Sequence, residues 1–432
     1  MSKFDYLKEK ISVIGLGYVG LPLSLLLARK FMVIGFDNDA SKISKLIDGE
    51  KVISEPGVEE LLLDNTVRNK LSFTNNVGDI LNTRVKIITV GTPYDINLDY
   101  IDYSQLNGAI DLLDGNIKSG DIVVLKSTVP PGTTNQILKR RLEFFGFNVP
   151  NDVGIAFSPE RMVEGQAIRD FSSLPKIIGA SDPQTSAIVS EIVGSMGGEV
   201  IQVSSPETAE MIKMVDNYSR FTFLGLTNEI ALISEKIGID VLELIMAAKQ
   251  GYPRNAGLMT PGPGVGGSCL NKDPFILSSH LKKLNLELQM VGAASIVNRS
   301  IPNHIAEIVN NFANGRKIVT IAGVAFKGDT DDTRFTPTFE IKSKLENLGF
   351  KIILSDPYVS QTPLNIIKDP YEASRSSDIF LLLTDHSDYK EIELRLLRSM
   401  MAEKPLIVDT RGLISKEMAM KLGFEYHGYG RL

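Results

Sequence analysis

Short apolar runs alternate with amphipathic stretches through the first half of the chain. The apolar runs are rich in β-branched residues and bounded by glycine, proline or polar residues, which is typical of buried strands. They are Ile11–Ile14, Met32–Phe36, Val85–Val90, Ile122–Leu125 and Val153–Phe157, with further short runs at Lys176–Gly179 and Glu199–Val203. Helical patterns separate most of these runs. The alternation predicts a parallel sheet whose crossover helices bury both of its faces.

The pattern becomes helical after Ser204. The segment Ser204–Glu207 combines hydroxyl caps, a proline and an acidic residue, which together favour a helix start. Helical periodicity continues to about Ile237, and a helix of roughly 30 residues would be about 45 Å long, enough to connect two domains. More helical segments follow, interrupted by the Gly/Pro-rich segment Pro261–Gly267.

Strand patterns return in the last part of the chain, at Ile318–Ala322, Lys351–Leu354, Ile379–Leu383 and Leu406–Val408. The sequence therefore predicts an α/β protein in three parts. We expect residues 1–204 to form an N-terminal Rossmann-type domain and residues 205–312 to form a central helical domain with the long connecting helix. Residues 313–432 should form a smaller C-terminal Rossmann-like α/β domain.

Composition and charge narrow the classes of partner. The chain has a formal net charge of −6, which argues against a nucleic-acid-binding protein. No apolar stretch reaches the roughly 18–20 residues of a membrane-spanning helix, and the charged N-terminus is unlike a signal peptide. A single cysteine is typical of a reducing compartment, so we expect a cytoplasmic protein without a membrane partner. The histidines and the cysteine show no metal-ligand spacing, so no metal is expected.

The first predicted strand ends in the glycine-rich segment GLGYVG, and an apolar helical run follows. In this pattern Gly15 permits a tight turn, Gly17 lets the backbone approach a pyrophosphate, and Gly20 lets the helix pack closely on the strand. Asp37 ends the second strand, where a carboxylate accepts hydrogen bonds from the adenine ribose and repels a 2′-phosphate. The pattern predicts an NAD site; a structural glycine turn followed by a solvated aspartate is the alternative.

The only cysteine, Cys269, follows the Gly/Pro-rich segment. Cysteine usually packs in a core as a small hydrophobic residue. Here the preceding glycines and prolines favour backbone held close to a ligand. A helix starting near Ser268 would favour the thiolate through its dipole, and Lys272 could assist. Cys269 is therefore a candidate nucleophile.

Seven motifs follow one another along the chain. They are GLGYVGLPL at 15–23, GTP at 91–93, STVP at 127–130, SPER at 158–161, EMIKMVDN at 210–217, GGSCLNKD at 266–273, and AFK at 325–327 with DDTR at 331–334. On these motifs the chain resembles the nucleotide-sugar 6-dehydrogenases, which include the UDP-glucose, GDP-mannose and UDP-N-acetylhexosamine dehydrogenases. The resemblance spans essentially the whole chain.

The resemblance implies two successive oxidations of one C6 alcohol, with two NAD consumed per sugar. An aldehyde is a poor hydride donor, so a thiolate adds to it, and the resulting thiohemiacetal donates again and leaves a thioester for water to cleave. By resemblance, Lys213 stabilises the oxyanion and Asn217 holds a water or a substrate oxygen. Whether Asp273 or Glu160 moves the proton stays open. The implied catalytic residues are Cys269, Lys213, Asn217, Asp273, Glu160 and Thr128.

The same resemblance assigns the two binding sites. Residues expected to contact NAD are Gly15, Gly17, Tyr18, Val19, Gly20, Asp37, Thr92 and Thr128. Residues expected to contact the nucleotide sugar are Glu160, Arg161, Glu164, Lys213, Asn217, Arg254, Gly266, Lys327 and Arg334. The cations of the C-terminal domain suit phosphate, because charge-assisted bonds to phosphate are strong. That domain has no G-x-G-x-x-G after its first strand, which argues against a second dinucleotide.

The identity of the sugar is left open by the motifs. SPER followed by Glu164 resembles the N-acetylhexosamine members, whereas Ser268 and CLNKD resemble the glucose and mannose members. We favour UDP-N-acetyl-D-mannosamine or another UDP-N-acetylhexosamine, with UDP-glucose as the alternative. A two-electron dehydrogenase of the β-hydroxyacid type and a non-catalytic NAD-binding protein are further alternatives. The resemblance also implies a homodimer formed through the central domain, with Arg254 reaching the neighbouring subunit's site.

Overall fold

A computed structural model describes residues 9–53, 55–96, 98–163, 165–360 and 364–431. The chain divides into two compact units, Met1–Asp216 and Asn217–Leu432. The division falls inside one long helix, α9, which runs from Pro206 to Ile237. Among the described residues, no helix is both long and apolar enough to span a bilayer.

The first unit is built on an eight-stranded sheet in the order β10-β9-β8-β7-β4-β1-β2-β3. Its strands are β1 Lys10–Ile14, β2 Met32–Phe36, β3 Leu71–Thr74, β4 Val85–Ile88, β7 Ile122–Leu125, β8 Gly154–Phe157, β9 Lys176–Ala180 and β10 Val200–Val203, and a small hairpin joins β5 Tyr94–Asp95 to β6 Tyr100–Ile101. All neighbours in the large sheet are parallel except β8 and β9. The predicted parallel sheet is therefore confirmed, with one antiparallel pair.

Helices cover both faces of this sheet. They are α1 Gly20–Ala28, α2 Ala40–Ile47, α3 Val58–Leu63, α4 Asn65–Arg68, α5 Ser104–Asp111, α6 Arg140–Phe144, α7 Ala167–Ser173 and α8 Pro183–Gly194, with a 3₁₀ helix at Val77–Asn82 and a π-helix at Thr134–Lys139. The central strands β4, β7 and β8 are buried along their whole length. Such strands read as continuous apolar runs because both of their faces are covered. Two apolar clusters result, one on each side of the sheet.

The second unit contains a six-stranded parallel sheet in the order β13-β12-β11-β14-β15-β16. Its strands are β11 Ile318–Ala322, β12 Lys351–Ser355, β13 Ile366–Ile367, β14 Ile379–Leu382, β15 Leu406–Asp409 and β16 Glu425–Gly428. Its helices, after α9, are α10 Val241–Lys249, α11 Asp273–Lys282, α12 Gln289–Phe312, α13 Pro337–Asn347, α14 Pro370–Ala373, α15 Ser387–Lys390, α16 Leu394–Met400 and α17 Lys416–Lys421, with a 3₁₀ turn at Pro253–Asn255.

The helices between residues 217 and 312 share a core with the C-terminal sheet. Ala231 of α9, Val241 of α10 and Ile305 of α12 belong to one buried cluster with Ile321 of β11 and Leu381 of β14. A smaller cluster around Phe221 and Val291 joins α9 to α12. Because they share this core, the helical segment and the C-terminal sheet belong to one compact unit. The predicted alternation of α/β, helical and α/β segments is confirmed, and so is the helix from Pro206 to Ile237.

Candidate active site

The glycine-rich segment after β1 forms one wall of a cleft in the first unit. Gly15 has φ +98°, and a Cβ added to Gly20 would lie 1.8 Å from the Gly15 carbonyl oxygen, so both positions require glycine. An added Cβ on Gly17 would meet nothing within 4 Å. The cleft has a volume of about 690 Å³. It is lined by Ile14, Gly15, Leu16, Gly17, Phe36, Asp37, Asn38, Lys42, Thr89, Val90, Gly91, Ser104, Gln105, Gly108, Ala109 and Leu112.

Asp37 lies at the cleft with a lysine beside it. Its Oδ2 accepts hydrogen bonds from the Leu16 N–H at 2.9 Å and from Lys42 Nζ at 2.8 Å, and its Oδ1 accepts one from the Asp39 N–H at 3.1 Å. Burial opposes ionisation of Asp37, but these donors outweigh it and lower the pKa of the carboxyl group. The ionised group, the glycine turn and the adjacent start of α1 fit the ribose and pyrophosphate of NAD. Lys42 is a cleft residue that the sequence reasoning missed.

Two threonines that follow strand ends are linked to each other. Thr92 donates its hydroxyl hydrogen to the Thr128 carbonyl at 2.5 Å, and Ser127 donates its own to the Val90 carbonyl at 2.6 Å. These bonds tie the segment after β7 to the segment after β4, which is its neighbour in the sheet. Both segments lie at the carboxyl edge of the sheet, where ligands of doubly wound folds bind.

Glu160, at the same edge after β8, is held by donors on both carboxylate oxygens. Lys126 Nζ lies 3.2 Å from its Oε2, and its Oε1 accepts from the backbone N–H groups of Arg161 and Met162 at 2.9 Å. Lys126 is itself buried and donates to the Ser158 carbonyl at 3.1 Å. Sequence reasoning missed Lys126, although it ends the strand next to the one that precedes Glu160.

The rest of the SPER segment is tied to α9. The Arg161 guanidinium forms a two-point ion pair with Asp216, with Nε to Oδ2 at 2.7 Å and Nη2 to Oδ1 at 3.2 Å. Glu55, which the sequence reasoning did not select, accepts from the backbone N–H groups of Gly165 and Ala167. Glu164 lies outside the described residues.

Helix α9 carries Lys213 and Asn217 one turn apart. Lys213 is half-buried, and no hydrogen bond or ion pair within the described ranges involves its ammonium group. Asn217 is buried and donates from Nδ2 to Oδ2 of Asp273 at 2.6 Å. The structure thus brings together two of the predicted site residues, although 56 positions separate them in sequence.

In the second unit, Cys269 lies on a turn just before α11. Its side chain is exposed, unlike a core cysteine, and its carbonyl accepts from the N–H groups of Lys272 and Asp273. The helix begins at Asp273, so a helix start near Ser268 is wrong by five residues. Asp273 is buried, and its Oδ1 has no hydrogen-bond partner in the described part of the chain; Lys272 Nζ lies 3.7 Å away. The thiol and a carboxylate oxygen without a hydrogen bond therefore sit one helical turn apart.

The segment before Cys269 packs against the loop after β11. A Cβ added to Gly266 would lie 2.3 Å from Cβ of Phe326, and the Gly267 N–H donates to the Arg334 carbonyl at 3.0 Å. The same loop carries Lys327, and the Arg334 guanidinium is paired with Asp332 at 2.7 Å. The structure therefore places the backbone of residues 261–269, the thiol segment, against the loop that carries the two cations expected to bind phosphate.

Two arginines outside this loop differ in the residues that they contact. Arg411, missed in the sequence, follows β15 and pairs with Asp385 at 2.5 Å; a Cβ added to Gly262 would lie 2.3 Å from its Nη1. It thus lies against the Gly/Pro-rich segment. Arg254 is exposed, with its guanidinium 5.6 Å from the Tyr252 ring, and its Nη1 donates to the Tyr252 hydroxyl at 3.3 Å.

The residue after β12, Asp356, accepts a backbone hydrogen bond like that of Asp37, but its carboxylate is buried. Val324 N–H donates to Oδ2 of Asp356 at 2.7 Å, as Leu16 N–H does to Asp37. Asp356 is wholly buried, and His386 Nε2 lies 3.1 Å from the same oxygen. Both Asp356 and His386 are wholly buried, so this strand end does not offer a carboxylate to a ribose.

Three family models match successive parts of the chain. They are the NAD-binding domain, the central domain and the UDP-binding domain of the UDP-glucose/GDP-mannose dehydrogenase family, at residues 9–196, 207–300 and 320–416. The chain belongs to the UDP-glucose/GDP-mannose dehydrogenase family. It is an NAD-dependent nucleotide-sugar dehydrogenase, which confirms the resemblance and the predicted cofactor.

Relatives match over nearly the whole length. The UDP-N-acetyl-D-mannosamine dehydrogenase of Pyrococcus horikoshii is 30% identical over 429 residues, which cover 98% of this chain and 99% of that protein. The UDP-glucose 6-dehydrogenase of Rickettsia typhi is also 30% identical, over 97% of this chain and 99% of that protein. A solved structure of UDP-D-ManNAc dehydrogenase from Pyrococcus horikoshii aligns with a TM-score of 0.87 at 30% identity, over 98% of this chain and 99% of that one. Within the described ranges, no three His, Cys, Asp or Glu side chains cluster as metal ligands.

Proposed function

We propose that the enzyme oxidises the C6 alcohol of a UDP-N-acetylhexosamine, with UDP-N-acetyl-D-mannosamine favoured, to the carboxylate in two NAD-dependent steps. The observation that carries the proposal is the thiol segment. Cys269 is exposed, lies one turn before the buried Asp273, and is held against the loop of Lys327 and Arg334. Relatives named for UDP-N-acetyl-D-mannosamine support this sugar, and relatives named for UDP-glucose support the alternative.

The chemistry balances through the sulfur atom. Loss of one hydride and one proton converts the alcohol to an aldehyde, and NAD, when bound, supplies the hydride acceptor. The Cys269 thiolate then forms a C–S bond to the aldehyde carbon while the oxygen takes a proton, giving a thiohemiacetal. A second hydride and proton leave, which produces a thioester. Water breaks the C–S bond and releases the acid and the thiol, for four electrons in all.

Lys213 and Asn217 carry polar groups that can stabilise the substrate oxyanion and orient the Asp273 carboxylate. An ammonium group beside a developing oxyanion stabilises the transition state more than the ground state. We assign that role to Lys213, which lacks an anionic partner within the described ranges. Asn217 donates to Asp273 and so orients that carboxylate. Thr128, at the carboxyl edge of the first sheet, is proposed to position the water.

Asp273 fits the general base better than Glu160 does. Both oxygens of Glu160 accept hydrogen bonds or an ion pair from Lys126 and the backbone. Oδ1 of Asp273 is buried and accepts no hydrogen bond from the described residues, and its ion pair with Lys272 Nζ is long, at 3.7 Å, so its lone pairs can accept a water proton. Glu160 and Arg161 are proposed to shape the sugar site.

The remaining parts of the proposal concern binding and assembly. Lys327 and Arg334 are proposed to hold the UDP diphosphate, and Arg254 to act in the neighbouring subunit. The proposed domains are residues 1–204, 205–312 and 313–432. One face of α9 exposes Phe223, Leu226, Ile233 and Ile237, which supports a homodimer formed through the central segment. We propose a cytoplasmic location.

The deciding experiment measures NADH release against a panel of UDP- and GDP-sugars, together with the mass of the product. We expect two NADH and one carboxylate per UDP-N-acetylhexosamine. Cys269→Ser should bind both ligands yet fail to complete the four-electron oxidation, because an alcohol cannot carry the thioester. Asp273→Asn should accumulate a thioester detectable as added mass on Cys269, whereas Glu160→Gln should not. One NADH with a carbonyl product, or a wild-type rate in Cys269→Ser, would overturn the proposal.

A further inference from the structure

A buried carboxylate on α9 takes no part in the chemistry above. Glu210 is wholly buried and lies one turn before Lys213. Its Oε2 accepts from the Gly132 N–H at 2.5 Å, and its Oε1 accepts from the N–H and the hydroxyl group of Thr134 at 2.7 and 2.6 Å. Three donors on one buried acid identify a specific contact, because a buried charge without partners would cost several kcal/mol.

The donors belong to the segment that contains Thr128. This segment starts after β7, where Ser127 and Thr92 tie it to the segment after β4. Between its two ends lie the buried Val129 and two prolines, which leave the backbone little freedom. Glu210 holds the far end, so the segment is fixed at the sheet edge and again at α9.

The contact requires an acceptor-only side chain. A carboxylate offers two acceptor oxygens, whereas a protonated acid or an amide turns one of its two terminal atoms into a donor. That donor would face a backbone N–H, and the bond on that side would be lost. Within the described ranges, the ionisable groups that act on Glu210 are Glu207 on α9, bonded to Asn135, and Tyr103 before α5.

We propose that Glu210 is a positioning residue of the dehydrogenase, whose carboxylate holds the Thr128 segment at a fixed distance from Lys213. The role rests on the proposed function, in which Thr128 positions the attacking water and Lys213 stabilises the oxyanion. A shift of about 1 Å between such groups can cost on the order of a hundredfold in rate. Glu210 touches neither the substrate nor the cofactor in this proposal and acts through its two neighbours.

The contact should depend on pH. Burial raises the pKa of Glu210 to about 7, against the lowering effect of its three donors. As pH falls through about 7, the acid takes a proton, loses an acceptor and releases part of the segment. Since the folded state binds this proton more tightly than the unfolded chain does, stability should also fall as pH rises from 4.5 to about 7.

The test compares Glu210→Gln with the wild type, using the sugar that the wild type oxidises best. At pH 8 we expect kcat/KM to fall roughly 10- to 100-fold, because the amide loses one acceptor and the segment shifts. The ratio of wild type to variant should approach one at pH 6, where the wild-type acid is protonated. The Kd for NADH, read from the change in its fluorescence on binding, should change less than about threefold, because the glycine turn and Asp37 are proposed to hold the adenosine half.

Two further variants keep the test sharp. Glu207→Gln makes the same change on the same helix but affects a bond to the Asn135 side chain, so it should keep the wild-type rate at pH 8. Thr134→Val removes one of three donors and should give a smaller loss of the same kind, even if Glu210→Gln folds poorly.

The outcomes separate the two proposals. A wild type that oxidises no sugar on the panel would overturn the proposed function and the role of Glu210 with it. If the wild type is active, full activity of Glu210→Gln at pH 8 would overturn the role of Glu210 alone. Where Glu210→Gln does not fold, full activity of Thr134→Val at pH 8 would do the same. A loss equal at every pH would also overturn it, because a purely structural defect would behave in that way.

Discussion

Single side chains decide how two similar strand ends differ in the exposure of their carboxylates. Asp37 and Asp356 both follow the second strand of a parallel sheet, and both accept a backbone N–H from the preceding turn. Asp37 faces a cleft and shares an oxygen with Lys42, whereas Asp356 shares its oxygen with the buried His386. The two strand ends share this backbone hydrogen bond and differ in what covers the carboxylate.

The charges around Asp37 should set the preference for NAD. Asp37→Ser removes the carboxylate that repels a 2′-phosphate and releases Lys42 to pair with one. We expect the ratio of kcat/KM for NADP to that for NAD to rise roughly 10- to 100-fold, since charge-assisted bonds contribute about 1.5–3 kcal/mol. Asp39→Asn is the matched control, because the Asp39 side chain caps α2 and the substitution keeps the backbone N–H that bonds to Asp37. An unchanged cofactor ratio in Asp37→Ser would contradict this account of specificity.

Among the elements, the loops that carry chemistry are held by contacts from far along the chain. The thiol segment packs on Phe326 and bonds to Arg334, and the segment of Thr128 is held by Glu210 of α9. Such loops can be rigid without being part of a helix or strand. Rigid placement lets a thiol and a carboxylate meet one substrate atom.

Close packing of the thiol segment gives a steric test. Gly266→Ala would place a Cβ 2.3 Å from Cβ of Phe326 and push the segment of Cys269 aside. We expect kcat to fall on the order of a hundredfold with NAD affinity unchanged, because misplacement by about 1 Å has that effect. Gly292→Ala is the control, since an added Cβ there meets nothing within 4 Å on helix α12, and it should raise stability by up to about 1 kcal/mol. Wild-type turnover in Gly266→Ala would show that the packing is not needed.

On the scale of the whole molecule, the division of the chain and its exposed apolar surface matter most. The boundary between the two compact units falls inside α9, a helix of 32 residues. Ile233 and Ile237 on that helix are 51% and 64% exposed, which is unusual for isoleucine. Phe223 and Leu226 share their face at helical spacing.

We expect the apolar face of α9 to pack against a second copy of the chain. Ile233→Glu places a charge in the proposed interface, so sedimentation velocity should show a monomer where the wild type sediments as a dimer. Ile47→Glu, on the surface of the first unit at 57% exposure, should leave the dimer intact. A wild type that sediments as a monomer at micromolar concentration would remove the dimer from the proposal.

Much of this protein could be read from local patterns. Apolar runs and caps predicted most strands of both sheets and the full length of α9, because burial on two faces and helical periodicity are recorded in neighbouring residues. The short or polar strands β3, β13 and β16 lacked that signal and were not predicted. The motifs indicated the family and the cofactor for a similar reason, since each is a short segment with its own turn chemistry.

The tertiary structure alone decided which distant groups meet. The pairs Lys126 with Glu160, Asn217 with Asp273, and Glu210 with Thr134 join residues that are 34, 56 and 76 positions apart, and their contacts depend on strand order and loop closure. No local pattern encodes those choices, because the chain must close long loops before such side chains approach each other. The sequence by itself therefore determined most of the elements, the family and the nucleophile as a candidate, and the packing of the folded chain decided which donors surround each carboxylate.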